Sequence, residues 1–124
     1  MSETIRECLP AAKRSEVVTL AGPSFAVEVA ARLPTAVTAA SVNMADAARV
    51  QAAFSNKYFR VYSNADEVGA EYAGAIKNVI ALASGCLDGL GYSTNTRAAL
   101  ITRGLAEMAR FAISQGGKAE TIYG

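Results

Sequence analysis

From Asp66 onward the chain reads DEVGAEYAGAIKNVIALASGCLDGLG, with apolar residues at Val68, Tyr72, Ile76, Val79, Ile80 and Ala83. That spacing is close to the 3.6-residue helical period and predicts one long helix ending near Gly89 and Gly91. The loop GYSTNT then offers Ser93, Thr94 and Asn95 as caps. RAALITRGLAEMARFAISQGG predicts a second helix, with Leu100, Ile101, Leu105, Met108 and Ala112 inward and Gly116 and Gly117 at its end. Its Arg103–Glu107 and Glu107–Arg110 pairs have the spacing of neighbours on a solvated helix face.

Before Asp66 the pattern is different. Residues 2–9 predict a helix with Ser2 as N-cap and Pro10 as its stop. VVTLAG (Val17 to Gly22) predicts a short buried strand ending in glycine. PSFAVEVAARL predicts a helix with Pro23 in its first turn and Phe25, Val27, Val29, Ala30 and Leu33 on a mostly apolar surface. PTAVTAAS (Pro34 to Ser41) is rich in β-branched residues and opens with proline, which suits an edge strand or the first position of a strand. NMADAARVQAAFSN predicts a helix capped by Asn43, and YFRVYSN (Tyr58 to Asn64) a third strand. This βαβαβ order is that of an α/β layer. The shift at Asp66 places a domain boundary between residues 1–65 and 66–124.

The chain has 124 residues, of which 52% are hydrophobic and 19% charged, the composition of a folded domain able to bury a core. A net charge of +1 gives no field that would recommend nucleic acid or an acidic membrane surface. No histidine is present, and Cys8 and Cys86 form no CxxC pair, so the usual zinc spacings and any Ser-His or Cys-His relay are missing and no metal site is expected. The two thiols read as free and partly buried in a reducing cytoplasm. MSETIRECLPAAKRSE lacks the apolar segment of a signal peptide, and no run approaches the ~18 apolar residues of a membrane span.

Two stretches could carry chemistry. On a helix Ala70, Gly74, Lys77, Ala81, Ser84 and Asp88 fall near one stripe, because steps of three or four residues return to the same face. Small side chains let a ligand or another backbone approach, and a lysine among them can hydrogen-bond a substrate oxygen while partial desolvation lowers its pKa. The plain alternative is a lysine that extends past small neighbours to water. In AGPSFA (Ala21 to Ala26) a strand passes through Gly22 into a helix start, which offers free N–H groups to an anion, with Ser24 as an added hydroxyl donor. The alternative there is an ordinary turn with Ser24 as a cap. GLGYST (Gly89 to Thr94) has Thr94 where a dinucleotide fingerprint has its third glycine, and it follows a helix, so it is not read as a nucleotide site.

Taken together, LAGPSFAVEVAARLPTAVTAAS, EVGAEYAGAIKNVIALASGCLDGLG and NTRAALITRGLAEMARF closely resemble bacterial NAD(P)-dependent glycerol-3-phosphate dehydrogenases, in order and over essentially the whole chain. The resemblance implies the α/β edge of a Rossmann-type nucleotide-binding domain followed by the start of an all-α substrate domain. It implies Lys77 as proton donor and acceptor at the substrate's central carbon, Gly22, Ser24 and Asn78 beside the substrate, and Ala26 near an NAD or NADP cofactor. It also implies a cytoplasmic enzyme that interconverts glycerol 3-phosphate and dihydroxyacetone phosphate and supplies phospholipid synthesis.

The family's glycine-rich fingerprint and its Ser-Arg-Asn segment are not among these residues. The expectation is therefore an internal fragment of the enzyme, inactive alone. Two other readings remain at this point. One is a related β-hydroxyacid dehydrogenase. The other is a non-catalytic helical module whose exposed apolar surface would let copies pair as a homo-oligomer.

Overall fold

The computed structural model describes residues 1–123, apart from the side chains at 14 and 15. Its elements in chain order are helix α1 (Ser2–Cys8), a short 3-10 turn (Ala11–Glu16), strand β1 (Thr19–Ala21), helix α2 (Ala26–Ala30), strand β2 (Thr35–Ala40), helix α3 (Met44–Phe54), strand β3 (Phe59–Asn64), helix α4 (Glu67–Gly89), helix α5 (Thr94–Ser114) and helix α6 (Ala119–Tyr123). An α/β layer is thus followed by helices, as the sequence predicts, while α6 is an addition to that reading.

The three strands lie in the order β1-β2-β3, with β1 antiparallel and β3 parallel to β2. Pro34 directly precedes β2, in keeping with proline at a strand's start, but β2 is central rather than an edge, because both its sides find partners. Only β2-α3-β3 is a parallel crossover, since the short α2 connection returns the chain beside β1 in the opposite direction.

Residues opposite each other across paired strands share a sheet face. On one face Val37, Ala39 and Val61 form a buried cluster against Val18, Val50 and Phe59, so α3 covers it through Val50. On the other face Thr19, opposite Ala40, meets the first turns of α4. The C-terminal part of α3 also closes the outer side of β3: Gln51 Nε2 donates to Val61 O at 2.8 Å, and Val61 N donates to Ser55 Oγ at 3.2 Å. These bonds occupy groups that an edge strand would otherwise present to another chain.

Local signals place several helix ends. Asn43 caps α3 by accepting from Ala45 N, and Ser93 caps α5 by accepting from Thr96 N. At α1 the N-cap is Met1, and Ser2 is already the buried first helical residue. Pro23 lies outside α2, whose N-cap is Phe25. The mostly apolar surface expected there is not packed: Phe25 is 77% and Val27 81% exposed, because the five-residue helix presents them away from the sheet. In α5, Met108 and Ala112 are buried and Leu100 and Leu105 half-buried, while Ile101 is turned outward at 39% exposure. Cys8 and Cys86 are free and exposed rather than partly buried.

Helices α4 and α5 form an antiparallel hairpin. Gly104 lets them close: a Cβ there would lie 2.7 Å from Ile80 Cδ1 and 2.9 Å from its Cγ1. Tyr72 and Phe111 meet edge to face with centroids 5.3 Å apart. At the turn, Arg97 Nη1 donates to both carboxylate oxygens of Asp88, at 2.8 and 2.9 Å. Arg103–Glu107 and Arg110–Glu107 form exposed ion pairs at 3.6 and 3.4 Å.

Candidate active site

Two pieces of backbone carry the residues singled out by the sequence. The first is the turn from β1 into α2. Gly22 has φ +153°, and a Cβ there would stand 2.8 Å from Val37 Cα and 3.0 Å from Ala36 O. Only glycine therefore lets the chain leave β1 while pressed against β2. The Ser24 hydroxyl donates to Gly22 O at 3.4 Å, so it braces the turn rather than capping the helix. Ser24 and Ala26 are exposed, with Ala26 the first residue of α2.

The second piece is α4, where Lys77 and Asn78 are consecutive and both exposed. One turn before Lys77, a Cβ at Gly74 would meet no atom outside its own helix within 4 Å, and one turn beyond it Ala81 is exposed. From Gly74 onward the stripe expected from the sequence is partly open, with Lys77, Ala81 and Asp88 exposed and Gly74 and Ser84 half-buried. Its first member, Ala70, is buried at 4% exposure. Lys77 is exposed on this face, not enclosed in a groove by the described residues.

The two pieces belong to one packed unit, because α4 lies against β1. The Thr19 hydroxyl lies 3.4 Å from Glu67 Oε1 and 3.3 Å from Glu71 Oε1. Glu67, 4% exposed, is paired with the Arg6 guanidinium, and Glu71 Oε1 accepts from Ser2 N at 2.7 Å. Helix α1 and strand β1 together therefore hold the N-terminal third of the helix that carries Lys77.

A further anchor of α4 was not singled out by the sequence. Asp66, the N-cap of α4, accepts from Gly69 N at 2.8 Å, from Lys118 N at 2.7 Å and from the Thr121 hydroxyl at 2.6 Å. Burial by itself raises the Asp66 pKa, but the hydrogen bonds from Thr121, Gly69 and Lys118, with the Lys118 charge, outweigh it and hold the carboxyl below its ordinary value. Gly69 and Gly117 make the approach possible, since a Cβ at Gly117 would lie 2.9 Å from Gly69 Cα. Aspartate immediately before a periodic helix, with glycine three residues on, is a capping signal legible in DEVG. Its partners more than fifty residues away are not.

GLGYST runs from the end of α4 through the turn into α5, with Gly91 at φ +74°. Among the described residues, no helix is long and apolar enough to cross a membrane.

Residues 1–47 match the family model described as the N-terminus of NAD-dependent glycerol-3-phosphate dehydrogenase, and residues 66–124 match the model for its C-terminus. The whole chain is 56% identical to glycerol-3-phosphate dehydrogenase [NAD(P)+] of Geobacter sp. (strain M21) and 52% identical to that of Chlorobium phaeobacteroides (strain BS1). In each case it spans 37% of the relative's length. Among solved structures, the crystal structure of glycerol-3-phosphate dehydrogenase from Coxiella burnetii superposes with a TM-score of 0.81 at 48% identity, over 86% of this chain and 33% of that one. The enzyme from Saccharomyces cerevisiae superposes with a TM-score of 0.72 at 32% identity, over 82% of this chain and 32% of that one. The α/β layer is accordingly the edge of a Rossmann-type nucleotide-binding fold, followed by helices of the C-terminal family domain. With both family models matched in chain order, the chain belongs to the NAD-dependent glycerol-3-phosphate dehydrogenase family.

Proposed function

We propose that the protein carrying this chain interconverts sn-glycerol 3-phosphate and dihydroxyacetone phosphate using NAD or NADP, with Lys77 as the acid/base. The observation that carries this reading is the placement of Lys77: it projects from an open face of a helix anchored at its N-terminal end, in a chain of this family.

Small residues at Gly22, Ser24 and Ala26 leave the β1–α2 turn approachable, which fits contact with a flat ring at Ala26. When bound there, a nicotinamide would supply a hydride to the substrate's central carbon or accept one from it. As that carbon is reduced, negative charge grows on the carbonyl oxygen. The Lys77 ammonium would stabilise the charge by hydrogen bonding and then give up a proton to form the alcohol. In the opposite direction the neutral amine would take the hydroxyl proton. Asn78, next on the helix, would hold the substrate in register, while Gly22 and Ser24 would contact it from the turn.

The same reading divides the chain into the end of the nucleotide-binding domain (1–65) and the start of the helical substrate domain (66–124), supported by the C-terminal family match over 66–124. A cytoplasmic role supplying glycerol 3-phosphate for phospholipid synthesis, and assembly as a homo-oligomer, belong to the same proposal. The related β-hydroxyacid dehydrogenase reading is not favoured by the family assignment.

The test is a spectrophotometric assay of NADH and NADPH oxidation by the protein carrying this chain, with dihydroxyacetone phosphate as substrate. Turnover that depends on that substrate supports the reaction. Normal turnover in a Lys77→Ala variant would overturn the assigned role of the lysine.

A further inference from the structure

At the end of the sheet where β2 and β3 begin, the C-terminal end of α2 faces the turn joining α3 to β3 across a groove of about 430 Å³. Val29, Leu33, Phe54 and Phe59 supply its apolar wall, and Arg32 and Lys57 stand on its two sides. A volume of this order is that of a small-molecule site. The apolar wall is open, with Leu33 49% and Phe54 54% exposed.

The two cations are placed by well-defined backbone. Arg32 has φ +59°, unlike any other non-glycine residue described, at a helix end closed by bonds from Arg32 N to Val29 O and from Leu33 N to Glu28 O, each 3.0 Å. Opposite it, Asn56 Oδ1 accepts from Tyr58 N at 2.9 Å and Phe59 N at 3.0 Å, which fixes the turn. Lys57 Nζ sits 5.6 Å from the centroid of the Tyr58 ring. Among the described residues, Arg32 and Lys57, like Arg60, Lys77 and Lys118, have no carboxylate partner within 4 Å, whereas Arg6, Lys13, Arg49, Arg97, Arg103 and Arg110 do.

We propose that this groove binds a small organic anion, a phosphate or carboxylate on an apolar body, with Arg32 and Lys57 holding the anionic head and the wall of Val29, Leu33, Phe54 and Phe59 taking the body. Two cations without a described carboxylate partner lining an apolar groove match such an amphiphile in both charge and polarity. The groove's lining includes none of Gly22, Ser24, Ala26, Lys77 or Asn78, and the site does not depend on the proposed reaction.

The experiment is calorimetric titration of the protein carrying this chain with octyl phosphate, octanoate and octanol. Saturable binding of octyl phosphate, octanoate or both, with octanol much weaker, is expected, and whichever anion binds more tightly identifies the head group. Arg32→Asn, which keeps a residue tolerant of positive φ, and Lys57→Gln should each weaken binding by about tenfold, the loss of one charge-assisted contact. Added salt should weaken binding to the unaltered protein, a measurement independent of any variant. Absence of saturable binding by both anions, octanol binding as tightly as they do, affinities unmoved by the two substitutions, or affinities unmoved by salt would each overturn the proposal.

Discussion

The hydroxyl of Thr121 donates a 2.6 Å hydrogen bond to the carboxylate of Asp66, so the residue that starts α4 also holds α6, fifty-five positions later in the chain. Asp66 is 6% exposed and accepts two backbone N–H groups as well, from Gly69 and Lys118. Asp66→Ala removes the cap and leaves these donors without their partner. The expected loss is about 2 to 4 kcal/mol of stability, read by denaturant unfolding. A loss below the cost of an ordinary cap would mean that the tie to α6 contributes nothing.

Because the folded carboxyl of Asp66 lies below its ordinary value, its contribution has a definite sign with pH. Stability from this group is fully present above the unfolded-state pKa of about 3.9 and declines as the pH falls through that value and on through the lower folded one. Unfolding curves measured from pH 6 downward should therefore show a smaller acid-induced loss in Asp66→Asn than in the unaltered chain. Parallel curves would refute the assignment.

Gly104 and Ile80 form the closest point of the α4–α5 hairpin. Gly104→Ala gains helix propensity but overlaps the Ile80 side chain, with a net cost of about 1 to 2 kcal/mol. In an Ile80→Val background, which removes the methyl group at the shortest contact, the same substitution should cost less. A double-mutant cycle checks this, and additive effects would show that the two sites do not touch in solution.

Gly22→Ala meets backbone rather than a movable side chain, since its Cβ would press on Val37 Cα and Ala36 O at a φ that other residues rarely adopt. A loss of at least about 2 kcal/mol is expected. If the protein carrying this chain is the proposed enzyme, activity should fall with it. A thermal midpoint equal to the unaltered protein's would contradict the geometry.

Lys77 is exposed and has no described partner in an ion pair, so Lys77→Ala should leave the thermal midpoint unchanged. If the protein carrying this chain is the proposed enzyme, turnover should nevertheless drop by about 10² to 10⁴-fold, the usual scale of a lost general acid or base. An equal fall in stability would instead make the lysine a structural residue.

How much of this was legible in the sequence follows from the range of each interaction. Asn43 and Ser93 cap helices by bonding N–H groups two or three residues away, and the helical period from Val68 to Ala83 needs only its own neighbours. Those elements, the succession of strands and helices, and Lys77 on the face of a long helix could be read from local order. The partners of Asp66 could not, because Lys118 and Thr121 reach it only once α5 has folded back along α4. Likewise the sequence marked PTAVTAAS as a strand but not as the central one, since that depends on which strands arrive at its two edges. Phe25 and Val27 have the composition of a packed surface, yet the fold leaves them in solvent. Composition states what a side chain would bury, and only the tertiary arrangement of distant segments decides what stands there to bury it against.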